Sequence, residues 1–273
     1  MEDPLSPCTG LCRLDGRTGW CLGCGRSGDE IGRWPGASGD EKREILAALP
    51  TRRAALQAGA RAEAAVDPAL VEAWLRGRSA ARRLPQPVAD QGGLRVETGS
   101  VDELRRYVFA APAEGLRRLG AAIDSPGIAL KLCGTAEALA ACLPPRWRVR
   151  TTGEMMIRSG PAHPQRALPP GFTLALDREP GRSAARILAP DGRTAASGYA
   201  AAWDGVFVYD RIATAEGFRR IGLGTALMAA LGSTRPDPKA TEILVATDEG
   251  RALYETLGWR AVSPYATALI PPT

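Results

Sequence analysis

The chain has 273 residues, of which 45% are apolar, and it carries a formal net charge of +5. This length suggests about two domains and is enough to bury a sizeable core. No apolar stretch approaches the roughly 18 residues of a membrane span, which argues against an integral membrane protein. Arginine and acidic residues are interleaved along the chain, so the positive charge forms no basic arm and predicts no nucleic-acid partner.

The beginning of the chain, Met1 to Pro4, has neither a basic region nor an apolar stretch after it. We therefore expect no signal peptide, a cytoplasmic location and no membrane partner. The composition does not select an oligomeric state.

Four of the six cysteines lie within the first 24 residues and form two close pairs. They are Cys8, Cys12, Cys21 and Cys24. Two such pairs, separated by a short turn at residues 15–19, suit four thiolates around one tetrahedral ion. A disulfide framework is the alternative, but it needs an oxidising compartment. We therefore predict a metal site that holds zinc, while an iron–sulfur cluster would be satisfied by the same four ligands.

The residues around these cysteines resemble a known family. The segments Ser6–Cys8, Gly19–Arg26 and Glu30–Trp34 are similar to a short bacterial four-cysteine family, domain of unknown function 1289. The resemblance covers about residues 4–50. It implies metal binding, and no known activity comes with it. We place this four-cysteine domain, with its helix, at residues 1–60.

The segment after the cysteines contains signals for two helices. Ser38 and Glu41 have the spacing of a capping box, so a helix is predicted to begin there and to end before Pro50. Asp67 and Pro68 have the order of an N-cap followed by a first-turn proline, which predicts a second helix over residues 69–83.

Residues 94–158 alternate between strand and helix patterns. Strands are predicted at residues 94–98, 128–132 and 147–157, and helices at 101–109 and 135–143. This part either extends the sheet of the part that follows or forms a companion module. The single histidine, His163, lies in the next loop and is expected to face solvent rather than to act in catalysis.

The C-terminal part has the pattern of a mostly antiparallel sheet. Strands are predicted at residues 172–176, 184–189, 194–202, 206–214 and 242–246. Helices are predicted at residues 225–231 and 249–257, and Gly258 ends the second one.

The stretch from Arg219 to Thr225 lies between a predicted strand and a predicted helix. Gly222 and Gly224 carry no Cβ, so an anion can approach the backbone closely. The free N–H groups at the start of a helix and its partial positive charge favour phosphate, and Arg219 adds a charge-assisted contact. A dinucleotide-binding loop would need a third glycine where Leu227 stands, and a P-loop would end in Gly-Lys-Ser/Thr. The pattern matches neither.

Two motifs in this part resemble the GNAT superfamily of N-acetyltransferases. Arg-x-x-Gly-x-Gly at Arg219–Gly224 is similar to the acyl-CoA-binding loop of that superfamily, and Leu253–Trp259 is similar to its Leu-Tyr-x-x-x-Gly-Phe signature. The resemblance implies an α/β (α+β) fold in residues 66–273, with a mixed, mostly antiparallel sheet flanked by helices. Within it, residues 66–170 would be an N-terminal α/β part and residues 171–273 the acyl-CoA-binding core.

The resemblance also implies which residues hold acetyl-CoA, the cosubstrate. They are Ile212, Ala213, Thr214, Arg219, Arg220, Ile221, Gly222, Leu223, Gly224 and Thr225. An N–H group near Ile212 would stabilise the oxyanion, and Tyr254 would protonate the thiolate that leaves after direct attack by an amine. Asp210 is the first candidate for the general base, with Glu154 and Glu216 as alternatives.

Two functional classes are consistent with these features. The first is an N-acetyltransferase whose acceptor is the amine of a small molecule or a protein. The second is an adaptor or metal-responsive interaction protein that binds acyl-CoA without transferring the acyl group. Release of free CoA in the presence of amines distinguishes the two.

Overall fold

The computed structural model of the chain describes residues 4–10, 12–15, 18–63 and 66–272, and only the backbone of residues 57–63. The chain divides into two compact units, Met1–Ala64 and Ala65–Thr273. No helix in the described ranges combines the length and the apolarity that a membrane crossing requires.

The N-terminal unit contains two helices, α1 (Gly28–Arg33) and α2 (Gly39–Glu63), joined by a 3₁₀ turn. The predicted capping box is confirmed, because Ser38 N donates to Glu41 Oε2 at 2.8 Å and Glu41 N donates to Ser38 Oγ at 3.3 Å. The predicted end before Pro50 is wrong, since α2 continues through this proline. Proline removes one backbone hydrogen bond, while Leu49 and Leu56, two turns apart on either side of it, are both buried. Packing of this face offsets the lost bond.

The C-terminal unit is built around one sheet of eleven strands. The strands are β1 (Val88–Asp90), β2 (Gly93–Ser100), β3 (Glu103–Phe109), β4 (Ile128–Cys133), β5 (Arg148–Arg158), β6 (Thr173–Glu179), β7 (Arg182–Leu188), β8 (Thr194–Trp203), β9 (Val206–Thr214), β10 (Thr241–Ala246) and β11 (Arg260–Leu269). The helices are α3 (Pro68–Arg82), α4 (Glu114–Ala122), α5 (Ala136–Ala140), α6 (Leu223–Gly232) and α7 (Asp248–Thr256).

The spatial order of the strands is β1-β2-β3-β4-β11-β5-β10-β9-β8-β7-β6. Only β3 with β4 and β9 with β10 pair in parallel, and every other neighbouring pair is antiparallel. The predicted mixed, mostly antiparallel sheet flanked by helices is therefore confirmed.

At the centre of the sheet, strands from the first and second halves of the unit's sequence alternate. β5, from the first half of the unit, pairs with β10, whereas β11, from the end of the chain, lies between β5 and β4. Each half also contains a parallel strand–helix–strand unit, β3–α4–β4 and β9–α6–β10. Of the two arrangements that the sequence left open for residues 94–158, the structure shows the extended sheet.

One predicted helix is a strand. Residues 101–109 were expected to be helical, but Glu103–Phe109 is β3, an interior strand between β2 and β4. Its last four residues are all buried, because Val108 packs in the core beneath α3 and Phe109 packs with α4 on the opposite face. A short apolar run of this kind fits either structure, and only pairing with distant strands decides it. The strand β11 was not predicted either, and it pairs with β4, the neighbour of β3.

Helix α3 crosses the sheet over β8 and β9 at close range. Its predicted start is confirmed, since Asp67 accepts a hydrogen bond from Ala69 N at 2.9 Å and Pro68 is in the first turn. The close approach depends on Gly77, where a Cβ would lie 2.6 Å from Cγ2 of Val208. The last turn of α3 therefore holds Arg78 and Arg82 over the middle of β9.

Candidate functional site

A gap opens in the sheet between β9 and β10. The two strands pair only through Val206–Val208 and Thr241–Ile243. Beyond these residues β9 continues along β8 as far as Thr214, and β10 continues along β5 as far as Ala246. The facing edges of β9 and β10 therefore have backbone groups that no neighbouring strand uses.

A β-bulge in β9 lies beside this gap. Ser197 is paired with Ala213 and Tyr199 with Asp210, so Gly198 faces two residues, Arg211 and Ile212. Arg211 adopts a left-handed conformation with φ +52°. A Cβ on Gly198 would lie 2.4 Å from Cδ1 of Ile212, so glycine lets this side chain approach the backbone of β8. Bulges of this kind redirect backbone and side chains toward a site.

The loop that follows β9 ends at the first turn of α6. Gly222 is the N-cap residue of α6 with φ +89°, and Arg220 also has a positive φ of +66°. In the described part of the chain, the backbone N–H groups of residues 220–225 donate none of the hydrogen bonds that the structure contains. Because α6 has ten residues, these N–H groups lie at the positive end of a helix dipole, where an anion is favoured.

Two arginines lie beside the loop. Arg219, which the sequence singled out, forms an exposed ion pair with Glu249 of α7 at 3.2 Å. Arg166 was not predicted for the site. It lies directly against Gly222, where an added Cβ would be 2.0 Å from Nε of the arginine. Arg166 belongs to the segment between β5 and β6, more than fifty positions earlier in the chain, and no local pattern indicates its proximity to the loop.

A cavity of about 370 Å³ joins the gap to the face of the sheet that α3 covers. It brings together three residues predicted for the site, namely Asp210, Ile212 and Tyr254. Ala213 and Thr214 continue β9 toward the loop, and Thr214 Oγ1 lies 3.9 Å from the position of a Cβ on Gly224. The predicted residues therefore form two groups, one lining the cavity and one around the start of α6.

Tyr254 lies on α7 with 6% of its surface exposed, and its ring centroid is 6.0 Å from that of Trp259. Burial raises the pKa of the phenol, so Tyr254 keeps its proton at neutral pH. α7 itself is fixed by Thr247, whose side chain accepts a hydrogen bond from Gly250 N, and it ends at Gly258 with φ +83°. The arrangement places a proton donor at the wall of the cavity.

The environment of Asp210 argues against its predicted role as general base. Its carboxylate forms ion pairs with Arg78 at 3.0 Å and with Arg82. Burial raises the pKa of Asp210, but the charge of Arg78 and the hydrogen bond from Arg82 outweigh it and lower the pKa overall. A carboxylate held in two ion pairs is a weak proton acceptor. Asp210 instead positions the two arginines.

The two alternative bases lie elsewhere. Glu154 forms an ion pair with Arg251 at 2.8 Å, and Glu216 is exposed in a 3₁₀ turn before the loop. Neither side chain lines the cavity.

The expectation that His163 faces solvent is wrong. Only 4% of His163 is exposed, and its Nε2 is 3.0 Å from Oε1 of Glu242. Glu242, itself 1% exposed, also accepts a hydrogen bond from Tyr209 at 2.6 Å and pairs with Arg235 at 3.1 Å and with Arg158. This Glu242 cluster ties the segment after β5 to β9 and β10, and the sequence gives no local sign of it.

The four N-terminal cysteines do not form a metal centre in this structure. Within the described ranges no group of three or more His, Cys, Asp or Glu side chains is arranged to hold a metal ion. Cys21 and Cys24 are buried, whereas Cys8 and Cys12 are exposed. Residues 16 and 17 of the turn predicted to bring the pairs together lie outside the described residues. The predicted zinc or iron–sulfur site therefore has no support from this arrangement.

The cysteines are nevertheless close within each pair. A hydrogen bond between Cys12 and Cys8 is the chief cause of the raised pKa of Cys12. Burial raises the pKa of Cys21, but hydrogen bonds from the backbone of Cys24 and Gly23 outweigh it and lower the pKa. Gly25, with φ +79°, completes the turn after the second pair, and no disulfide joins any of the six cysteines, all of which are described.

Comparison with known proteins finds relatives of the N-terminal segment. Residues 6–53 match the model of a family described as protein of unknown function (DUF1289). The uncharacterized protein YdhL of Escherichia coli K12 is 51% identical over 41 residues, which are 15% of this chain and 51% of the relative, and YdhL of Shigella flexneri gives the same values. The chain thus spans about half the length of these curated relatives. The resemblance stated for this segment is confirmed.

Solved structures resemble the remainder of the chain. A GCN5-related N-acetyltransferase from Kribbella flavida superposes with a TM-score of 0.54 at 19% identity, over 76% of this chain and 96% of its own. A putative acetyltransferase of the GNAT family from Novosphingobium aromaticivorans gives 0.52 at 18% identity, over 76% and 100%. At this identity the likeness shows the fold. The predicted GNAT-like fold is therefore confirmed.

Proposed function

We propose that the C-terminal unit is an N-acetyltransferase that moves an acetyl group from acetyl-CoA to an amine. The observation that carries this proposal is the row of unused N–H groups from Arg220 to Thr225, at the start of α6 and beside a gap in the sheet. A diphosphate needs several such donors and a nearby cation, which Arg166 and Arg219 supply. The GNAT-like fold supports the same reading.

Acetyl-CoA would supply an activated thioester to this site. Backbone N–H groups of residues 220–225 would hold its two linked phosphates, and the edge of β9 at Ile212, Ala213 and Thr214 would hydrogen bond the arm that reaches into the gap. A backbone donor near Ile212 would stabilise the oxyanion, an interaction typically worth about 3 kcal/mol. The bulge at Arg211 and Ile212 supports this step, because it frees the backbone there from pairing with β8.

The chemical step needs one proton donor from the protein. The amine nitrogen bonds to the thioester carbon, the carbon–sulfur bond breaks, and the amine loses a proton to solvent. Tyr254 gives its phenolic proton to the departing thiolate and regains one from water. Since the carboxylates that line the cavity are held in ion pairs, the amine would enter the site already neutral. The α-amine of a peptide, with a pKa of about 8, does so readily.

Two measurements test the proposal on the full chain. Calorimetric titration with acetyl-CoA should give a measurable Kd, and incubation with acetyl-CoA and a panel of amines should release free thiol above the rate of spontaneous hydrolysis. The adaptor alternative predicts binding with no amine-dependent thiol release. Absence of acetyl-CoA binding would contradict both the acetyltransferase hypothesis and the adaptor hypothesis.

We also propose metal binding, zinc in the first place, for the N-terminal unit. The support is the spacing of Cys8, Cys12, Cys21 and Cys24 and the closeness within each pair. A tetrahedral ion would need all four thiolates around it, an arrangement that the described side chains do not show. The cytoplasmic location expected from the sequence is consistent with reduced cysteines and stays a prediction.

A further inference from the structure

The cavity beside Tyr254 is lined by more basic than acidic side chains. Five basic residues and two acidic residues contribute to its wall. The basic residues are Arg78, Arg82, Lys131, Arg150 and Arg211, and the acidic residues are Glu103 and Asp210. Charges in a partly dehydrated cavity interact more strongly than charges in water, so this excess bears directly on what the cavity can hold.

The two acidic residues are already paired with other basic groups. Asp210 binds Arg78 and Arg82. Glu103 binds Arg106 at 2.5 Å and Lys131 at 3.0 Å. In the described part of the chain, neither Arg150 nor Arg211 forms an ion pair, so the cavity has cations without a protein counter-ion.

Hydrogen-bond donors in the wall are also unused. Nη1 of Arg78 and Oη of Tyr265 are buried and have no hydrogen-bond partner among the described residues. Arg78 is held in place by Asp210 and by the ring of Trp74, whose centroid is 5.4 Å from Cζ. A buried donor without a partner costs free energy, and both side chains belong to the wall of the cavity.

Lys131 lies close to other positively charged side chains. Burial, together with the charges of Arg106 and Arg78, lowers its pKa to about 8 against the opposing effect of Glu103. Its Nζ lies 3.4 Å from Oγ1 of Thr267 on the neighbouring strand. A bound anion would restore the balance of charge around this lysine.

These basic groups come from elements other than the loop that precedes α6. Lys131, Arg150 and Tyr265 come from β4, β5 and β11, and Arg78 comes from α3, whereas the loop precedes α6. Tyr254 and Ile212 line the same cavity at the gap itself. If the acyl carrier enters from the α6 end, the basic part of the cavity is left for the acceptor.

We propose that the acceptor of the acetyl group is a small amine that carries an anionic group of its own, a carboxylate or a phosphate, as in an amino acid. This inference rests on the proposed acetyltransferase activity. The anionic group binds the unpaired cations of the cavity, and its attached amine lies toward Tyr254. Polyamines, aminoglycoside-like polycations and lysine-rich protein tails are disfavoured, because each would bring further positive charge to a wall that already has an excess.

The experiment compares matched amines that differ only in the anionic group. The pairs are alanine and ethylamine, phenylalanine and phenethylamine, and phosphoethanolamine and ethanolamine, with spermidine as the polycation. We expect kcat/KM for thiol release to be at least about tenfold higher for the anionic member of a pair, the effect of one charge-assisted contact. The first two pairs test a carboxylate and the third tests a phosphate.

Variants of the full chain then connect this preference to the cavity. Arg150→Gln removes an exposed, unpaired cation and should leave folding intact, while Lys131→Met removes a buried cation that is paired with Glu103. Each should lower the preference for the anionic member by about tenfold without changing the Kd for acetyl-CoA. Arg117→Gln, on the exposed face of α4, is the matched control and should behave as the unmodified chain. Comparing ratios between variants cancels the different amine pKa values within a pair.

A binding measurement separates this inference from the activity on which it rests. The full chain and the Arg150→Gln variant are titrated by calorimetry with N-acetylphenylalanine and with its carboxamide. If the acid binds more tightly than the carboxamide and Arg150→Gln abolishes this difference, the anionic acceptor is supported even if no amine is acetylated. Failure to acetylate any amine would then count against the acetyltransferase activity alone. Equal binding of acid and carboxamide, or acetylation of spermidine or ethylamine as fast as that of alanine, would overturn the anionic acceptor.

Discussion

The side chain of Arg166 lies so close to Gly222 that a Cβ on the glycine would be 2.0 Å from Nε of the arginine. Gly222 is the N-cap residue of α6 and has φ +89°. The contact therefore brings a cation to the place where N–H groups at the start of the helix are unused. Two residues far apart in sequence thus contribute to the proposed anion-binding surface.

Replacing Gly222 with alanine should weaken acetyl-CoA binding. A non-glycine residue at this φ costs about 1–2 kcal/mol, and the new methyl group would also displace Arg166. We expect the calorimetric Kd to rise by about tenfold or more, since about 1.4 kcal/mol corresponds to that factor. Gly217→Ala is the matched control, because Gly217 precedes the same loop, has no positive φ and has open space around its Cβ position. An unchanged Kd in Gly222→Ala would remove the loop from the site.

Replacing Tyr254 with phenylalanine should lower kcat by roughly 10²-fold, the usual effect of losing a general acid. The ring and its packing against Trp259 stay, so the Kd for acetyl-CoA and the melting temperature should not change. Because burial raises the pKa of Tyr254, kcat of the unmodified chain should not fall through tyrosine ionisation below about pH 10. Tyr199→Phe, outside the cavity, is the control. A normal kcat in a folded Tyr254→Phe variant would leave the phenol as a packing residue.

The loop and the order of its flanking elements were predictable because their signals are local. Glycine at a positive φ, a capping side chain and a proline in a first turn each act within a few residues. Gly222, Asp67 and Gly258 all take the conformations that their positions in the sequence indicate. The predicted strands at residues 128–132, 147–157 and 206–214 are also present, each within one or two residues.

The proposed acceptor side of the site was not predictable from the sequence, because long-range pairing builds it. Lys131, Arg150 and Tyr265 meet only because β11 returns from the end of the chain to lie between β4 and β5. Each of these residues taken alone has the pattern of an ordinary strand position. The same limitation explains His163, whose burial depends on Glu242, 79 positions away.

Replacing Glu242 with glutamine should destabilise the C-terminal unit strongly. The change leaves Arg158 and Arg235 without their buried carboxylate, and breaking a buried pair of this kind costs about 3–5 kcal/mol. Glu179→Gln is the matched control, since Glu179 also contacts two arginines but is 41% exposed in its side chain. It should cost less than about 1 kcal/mol. Urea unfolding curves measure both, and equal effects would show that the Glu242 cluster contributes no more than a surface ion pair.

The same cluster sets the pH dependence of stability. Burial raises the pKa of Glu242, but hydrogen bonds from His163 and Tyr209 outweigh it and lower the pKa below the ordinary value of 4.5. A depressed carboxylate contributes stability above its unfolded pKa and loses it as the pH falls through the folded pKa. The free energy of unfolding should therefore decrease as the pH falls below about 4.5, and more steeply in the unmodified chain than in Glu242→Gln. Parallel curves would contradict the assignment.

The spacing of the four N-terminal cysteines predicts bound metal, whereas the arrangement of the described residues shows no metal site. If the two pairs close around one ion, purified chain should contain about one equivalent of zinc, as a structural four-thiolate site does. Cys21→Ser should then lose the metal, and chelator should lower the melting temperature of the unmodified chain but not of the variant. Cys142→Ser is the matched control, because Cys142 is buried in the other unit, where its thiol already donates a hydrogen bond to Ala138 O at 3.4 Å. A coloured protein containing iron would identify a cluster in place of zinc, and a chain without metal in both forms would leave the pairs as ordinary reduced cysteines.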